Sequence, residues 1–231
     1  MTTQAVTITT GDGSMSKIYA DTSTDGVWSG NVLLDTISSQ SIGILVPMST
    51  LTFVQPEYEA GCMAWRLQNA QTLAVSQYGF GCLAGQNVKQ YIQPTRVSPN
   101  DILTAFPMAV AGVGTSSVLA WVSTTKGTEL FNIAASADGA VVEMKTAVNA
   151  QTIGDSFFNS TLTSITVQTQ DDAQLDRVEI VDNMGGVVMT IQGNYRGATP
   201  ASRSNYHNLD CSGLSAFIGK GFKLNVVCVS A

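Results

Sequence analysis

Charged side chains are scarce in this sequence, where they make up 12% of 231 residues. Long surface helices usually carry outer faces rich in Lys and Glu, so this scarcity disfavours a helical protein. Ser, Thr, Asn, Gln and Gly supply the polarity instead, and they suit strands and turns. Hydrophobic residues reach 44%, which is enough to form a core. We therefore expect an all-β protein.

Basic residues and long apolar runs are also lacking. The 11 Lys and Arg residues are dispersed, and the net charge is −6. Nucleic-acid binding needs a clustered basic surface, so we expect no direct contact with nucleic acid. The apolar runs at 41–48 and 105–113 are too short to span a bilayer. The N-terminus has no basic segment followed by an apolar one, which predicts synthesis in the cytoplasm without a signal peptide.

Histidine occurs once, as His207, which leaves most catalytic arrangements without a base. The nearby Cys211 is too local in sequence to indicate a dyad. There is no G-x-S-x-G motif, and "AGVGTSS" (111–117) lacks the lysine and spacing of a phosphate-binding loop. We therefore expect no enzyme activity, no catalytic residue and no cofactor.

Paired cysteines are absent too. Cys62, Cys82, Cys211 and Cys228 are widely separated, and none belongs to a C-x-x-C motif. Zinc sites need paired ligands, and disulfide frameworks belong to exported proteins. We expect four free thiols with structural roles and no metal site.

The positive signal is a succession of short apolar runs separated by turn residues, which is typical of β-sandwiches and barrels. Among the runs that we interpret as strands is "SIGILV" (41–46). A short helix is possible within 139–152, where the apolar residues do not alternate cleanly, and a single helical turn is possible within 210–219. No repeat of 20–50 residues, of the kind that builds solenoids or propellers, is visible.

The clearest hairpin lies in "DDAQLDRVEIVDNMGGVVMTIQGN" (171–194). Strands at 176–182 and 186–192 flank "DNMGG", whose residues favour turns. The aspartates Asp171, Asp172, Asp176 and Asp182 do not follow the spacing of a calcium-binding loop. We interpret them as turn and strand-end residues.

The domain organisation is predicted from two prolines in "QYIQPTRVSPND" (90–101), which indicate an extended connector. We expect a β-rich region or arm over 1–95 and a jelly-roll-like antiparallel β-sandwich over 96–231. A single domain remains an alternative, because the strand-like runs continue through both parts.

Two further sets of residues carry alternative functions. Glu57 and Glu59 could form a glycosidase pair, because such carboxylates need no local motif. Trp28, in the turn-rich "DGVWSGN", and Tyr58 could contact host glycans if they are exposed. Trp121 lies among apolar residues in "SVLAWVST" and is expected in the core.

The low charge, the Ser, Thr, Gln and Gly richness, and stretches such as "YIQPTRVSPNDIL", "VLAWVSTTKGTELF" and "LDRVEIVDNMGGVV" resemble virion proteins of tailed bacteriophages. The resemblance is to head decoration (cement) or minor capsid proteins of β-sandwich type. It implies a homo-oligomer, a dimer or trimer, that binds the major capsid protein or other virion proteins on the capsid surface. The alternatives are a receptor- or glycan-binding module of a tail or fibre, and a jelly-roll major capsid protein.

Overall fold

The computed structural model describes residues 2–10, 15–22, 31–35, 37–58, 61–80, 90–109, 115–169, 173–193 and 206–230. The chain divides into two compact units, Met1–Ala109 and Val110–Ala231. The described residues form antiparallel strands with only two short helices, which confirms the all-β prediction.

The first unit contains two four-stranded sheets, ordered β2-β1-β4-β7 and β3-β8-β5-β6. Both sheets contribute to one buried core, which includes Ile8 and Val54 from the first sheet and Trp65 and Leu103 from the second. The unit is therefore a β-sandwich. Its elements are β1 (Thr2–Thr10), β2 (Met15–Thr22), β3 (Asn31–Val32), α1 (Ile42–Leu45), β4 (Thr50–Tyr58), β5 (Gly61–Asn69), β6 (Val75–Phe80), β7 (Gln90–Arg96) and β8 (Asp101–Ala109).

The second unit has one continuous antiparallel sheet, ordered β14-β13-β17-β11-β10-β9-β12-β15, with β16 also paired to β12. The sheet curves around a large apolar core that includes Phe131, Ile153, Phe157 and Leu162. Its elements are β9 (Thr115–Thr124), β10 (Gly127–Ala137), β11 (Val141–Thr146), α2 (Ile153–Ser156), β12 (Ser160–Thr169), β13 (Ala173–Val181), β14 (Val187–Gln192), β15 (Tyr206–Asp210), β16 (Phe217–Ile218) and β17 (Lys223–Ser230).

The two units repeat one strand order. The sheet β6-β5-β8-β3 of the first unit corresponds to β14-β13-β17-β11 of the second, and β2-β1-β4-β7 corresponds to β10-β9-β12-β15. In each unit the short helix lies between the third and fourth strands. The second unit differs in that β10 and β11 pair, which joins the two halves into one sheet.

One register irregularity also occurs at the same place in both units. In β1 and β4 of the first unit, Ile8 pairs with Val54, and the register shifts before Thr10 pairs with Leu51. The same shift occurs between β9 and β12 of the second unit, where the corresponding pairs are Val122 with Ile165 and Thr124 with Leu162. A bulge conserved in position marks a shared backbone plan, because bulges are specific features of a strand pair. The chain is a tandem duplication of one fold.

Three expectations from the sequence differ from the structure. Residues 41–46 were predicted as a strand, but they contain α1. The possible helix within 139–152 is instead β11, which pairs with β17. The expected boundary between 1–95 and 96–231 falls inside β7, and the following strand, β8, pairs with β5 of the first unit. Prolines mark bends in a chain, but only long-range pairing assigns a strand to its domain.

Candidate functional site

Each unit has a helical end, where the short helix meets the loop before the last strand and the turn of a hairpin. The helical end of the first unit comprises Asp35 and residues 37–49, 69–74 and 97–101, and that of the second comprises 146–160, 182–186 and 218–222.

A closed loop leads into each helix. In the first unit, Asp35 N donates to Gln40 O at 2.9 Å, and Ser39 N donates to Asp35 O at 2.8 Å. The corresponding bonds of the second unit are Thr146 N to Gln151 O at 2.9 Å and Ala150 N to Thr146 O at 3.0 Å. The two loops therefore have one backbone conformation.

The loop of the first unit contains an exposed network around the Asp35 carboxylate. Its Oδ2 accepts hydrogen bonds from Ser38 N and Ser38 Oγ, both at 2.8 Å, and from Ile37 N at 3.2 Å. The backbone bond from Ser38 is the main cause of a lowered Asp35 pKa. The Asp35 carboxylate thus accepts its hydrogen bonds from its own loop.

A glycine in each helix packs directly on backbone. A Cβ on Gly43 would lie 2.6 Å from the carbonyl oxygens of Ser98 and Pro99, and one on Gly154 would lie 2.3 Å from Phe222 N. Gly43 and Gly154 occupy the same place in the two helices. Both positions require glycine, because any side chain would displace the loop before the last strand.

In the hairpin turns of both ends, a side-chain oxygen accepts hydrogen bonds from backbone N–H groups of the turn. Asn69 Oδ1 accepts from Gln71 N and Thr72 N, both at 3.0 Å, in the turn between β5 and β6. Asp182 Oδ1 accepts from Met184 N at 2.9 Å and from Gly186 N at 2.8 Å, between β13 and β14. These bonds confirm that Asp182 is a turn residue.

The single histidine and the cysteine that follows it are buried in the second unit. His207 lies in β15 opposite Val167, and the Cys211 Sγ–H donates to Leu209 O at 3.3 Å. Burial raises the pKa of the Cys211 thiol to about 11. A thiol with such a pKa is a weak nucleophile at neutral pH, because little thiolate is present.

Among the other cysteines, Cys228 fits the structural interpretation. Cys228 is free and buried in β17, and burial raises its thiol pKa to about 12. Cys62 lies in β5, opposite Met108. Cys82 lies outside the described residues.

The carboxylates singled out from the sequence do not come together in the described structure. Glu57 lies in β4 opposite Ala5, whereas Glu59, Asp171 and Asp172 lie outside the described residues. Asp176, in β13, forms an ion pair with Arg177. Within the described ranges, no group of three His, Cys, Asp or Glu side chains could hold a metal ion.

The aromatic candidates separate into core residues and undescribed ones. Trp65 and Trp121 are fully buried, as expected for Trp121. Tyr58 is the last residue of β4, and Trp28 lies outside the described residues. The glycan-binding interpretation of Trp28 stays a prediction.

Comparisons with known proteins add no relatives: no family model matches the chain, and neither a curated protein nor a solved structure matches it significantly. Among the described residues, no helix is long and apolar enough to cross a membrane.

The duplication left one local signal in the sequence. "QSIGILVPMSTLT" (40–52) and "QTIGDSFFNSTLT" (151–163) align without a gap and share Gln, Ile, Gly, Ser, Thr, Leu and Thr at matching positions. These segments include the helices and the first residues of the strands that follow. A search for repeats longer than those of solenoids would have found it.

Proposed function

We propose that this chain is a virion structural protein that decorates a phage head, binding the outside of the assembled shell and stabilising it. The observation that carries the proposal is the tandem duplication of one β-fold. A chain with two units of one fold can make two attachments, which suits a shell built from many equivalent subunits. The proposal assigns the chain no chemical reaction.

The polar surface of the second unit supports a binding role. Several exposed positions on its two outermost strands carry neutral polar residues, namely Thr190 and Gln192 on β14 and Asn208 on β15, while Asp210 at the end of β15 is charged. Neutral amides and hydroxyls can hydrogen-bond across an interface without the desolvation cost of a buried charge. Such strands can contribute many moderate contacts over a broad area.

Stabilisation of a shell follows from linkage. A protein that binds the assembled head but not its dissociated subunits shifts the equilibrium towards assembly. Repeated attachment makes the effect large, because each bound copy contributes and bivalent copies can bridge neighbours. The expected partners are the major capsid protein and other copies of this chain.

The test is the location and copy number of the protein in intact particles of the source virus. We expect electron microscopy with labelled antibody to show many copies over the head. Particles that lack the protein should lose heat resistance and still adsorb to cells. A tail-only location, with adsorption lost and heat resistance unchanged, would favour the receptor-binding alternative and refute the proposal.

A further inference from the structure

The helical end of the first unit exposes large apolar side chains. Ile37 is 94% exposed, Leu73 67%, Ile44 56% and Met48 53%. Single exposed apolar residues are ordinary on protein surfaces, but a group of them at one site marks an interaction surface. We call these four residues the apolar end.

The backbone brings these residues to one end of the unit. Met48 N donates to Val97 O at 2.8 Å, which ties the segment after α1 to the loop before β8. Ala70 N donates to Asn100 O at 2.9 Å, which ties the turn that carries Leu73 to the same loop. Ile37 and Ile44 lie on the segment that joins β3 to α1 and on α1 itself, at this same end.

Two of the four residues adopt a backbone conformation that is unfavourable for apolar side chains. The backbone φ angle is 64° at Met48 and 60° at Leu73, both in the left-handed region. The matching residues of the second unit are Asn159, with φ 60°, and Gly185, with φ 89°. Asn and Gly are the residues that tolerate this region best.

The second unit shows that the fold does not require these apolar side chains. Its residue at the position of Ile44 is the exposed Asp155, whose backbone N–H donates to the Thr152 hydroxyl at 3.1 Å and caps α2. Ile44 and Met48 therefore have polar counterparts on a matching backbone, and Leu73 has a glycine counterpart in a turn that is one residue shorter.

Ile37 has an apolar counterpart, the exposed Val148, so the contrast lies in the left-handed positions. There the first unit has strained, exposed Met48 and Leu73, and the second has Asn159 and Gly185. Because backbone strain at exposed apolar residues does not stabilise the isolated unit, we interpret it as serving contact with a partner.

The charge around the apolar end identifies the kind of partner. The sequence contains no Lys or Arg between Lys17 and Arg66, and the cation beside this end is the exposed Arg96, opposite Thr50 in β4. One cation is fewer than the cluster that an acidic partner would need. The Asp35 carboxylate nearby is engaged by its own loop. A surface that is apolar and poor in free charge matches a surface like itself, and interfaces between identical subunits are the most apolar class.

We propose that the apolar end joins two copies of this chain in a twofold-symmetric contact. The exposed fractions correspond to on the order of 500 Å² of apolar surface per copy, and two copies reach about the 1,000 Å² that a specific interface needs. In a twofold contact, each copy offers the same patch, so one apolar end covers the other. The inference does not rest on the proposed role in a virion.

The test is the mass of the full-length protein in solution, measured by sedimentation velocity over a concentration series. We expect the wild type to be a dimer at micromolar concentration. The triple variant Ile44→Asp, Met48→Asn and Leu73→Gly carries the residues of the second unit and should be monomeric. The dimer dissociation constant should rise by at least 100-fold.

The triple variant should fold, because two of its changes place favoured residues in the left-handed conformation. Far-UV circular dichroism and thermal unfolding at a concentration where both proteins are monomeric should show a fold as stable as the wild type. The matched control carries Val148→Asn and Phe158→Asn, which remove exposed apolar side chains at the helical end of the second unit. It should keep the wild-type dimer.

Two results would overturn the proposal. One is a wild-type protein that stays monomeric throughout the concentration series. If the triple variant then also fails to bind phage heads, the apolar end contacts the shell instead of a second copy. The other is a folded triple variant that keeps the wild-type mass, which would place any dimer contact elsewhere.

Discussion

The two units differ where they meet solvent and agree where they are buried. Leu51 and Leu162 occupy matching core positions, and Gly43 and Gly154 pack on matching backbone. Their helical ends nevertheless carry different exposed side chains. Shared buried residues thus accompany a shared backbone at the helical ends, while exposed residues such as Ile44 and Asp155 differ.

The units also differ in how their sheets are arranged. In the first, Gln77 Nε2 on β6 donates to Thr95 Oγ1 on β7 at 2.8 Å, which links the edges of the two sheets. The corresponding residue of the second unit is Met189, which packs against the core. In the first unit this position thus links the edges of the two sheets by a hydrogen bond. In the second unit the same position packs an apolar side chain against the core.

The largest effect should come from adding a methyl group to the helix glycines. Gly43→Ala and Gly154→Ala should each destabilise the protein by more than about 3 kcal/mol, because the Cβ would clash with backbone that cannot rotate away. Urea denaturation of the full chain measures the change. Gly213→Ala is the control, since a Cβ there meets nothing within 4 Å. If only one of the two alanine variants loses stability, the two helices do not pack in the same way on the loops before the last strands.

The next effect compares the matching core leucines. Leu51→Ala and Leu162→Ala should each cost about 3 kcal/mol, because both side chains are fully buried and each substitution leaves a cavity. Denaturation curves for the two variants test whether the positions are equivalent. Leu214→Ala, at an exposed position, should change stability by less than about 0.5 kcal/mol. A loss at Leu51 no larger than at Leu214 would contradict the shared core.

Much of the fold could be predicted from local patterns. The hairpin of β13 and β14 was predicted from alternating apolar residues around "DNMGG", and the structure confirms it. Burial of Trp121 and Cys228 followed from their apolar neighbours. These predictions succeeded because turn chemistry and alternation act over a few residues.

The rest depended on distant contacts. "SIGILV" is an apolar run rich in β-branched residues, and such runs do not distinguish a strand from a buried helical turn. Its conformation depends on the packing of Gly43 against Ser98 and Pro99, far along the chain. The interaction surface was also missed, because strain at Met48 and Leu73 is a property of the backbone that no residue pattern reports.

A smaller effect, specific to the second unit, should appear at high pH. The folded Cys228 thiol has a pKa of about 12 against an ordinary value of 9.0. Between these values the folded state binds more protons than the unfolded state, so its stabilising contribution is complete below pH 9 and is lost as pH rises. We expect the free energy of unfolding to fall progressively over this range.

Urea denaturation at several pH values between 8 and 12 measures this dependence. Cys228→Ala should lower stability at pH 8 but flatten the curve above pH 9. Cys211→Ala should flatten it less, because the Cys211 pKa is raised only to about 11. If the free energy of unfolding of Cys228→Ala falls with pH as steeply as that of the wild type, Cys228 is not the source of the pH dependence.

The smallest effect exchanges the residues at the left-handed positions. Asn159→Met and Gly185→Leu place the residues of the first unit in the second, and each should destabilise it by about 1 kcal/mol. The reverse changes, Met48→Asn and Leu73→Gly, should not destabilise the monomer. Thermal unfolding of the four single variants, at monomeric concentration, measures both directions. Equal losses in both directions would show that the positions are not equivalent.

Hydrogen–deuterium exchange of the full-length protein tests most directly whether two matching backbones carry different surfaces. The measurement compares wild type, at a concentration where it is dimeric, with the triple variant Ile44→Asp, Met48→Asn and Leu73→Gly. We predict slower exchange in the wild type at 41–48 and 69–74, and equal exchange at 152–159 and 182–186. Protection at both helical ends, or at neither, would contradict the assignment of a partner surface to the first unit alone.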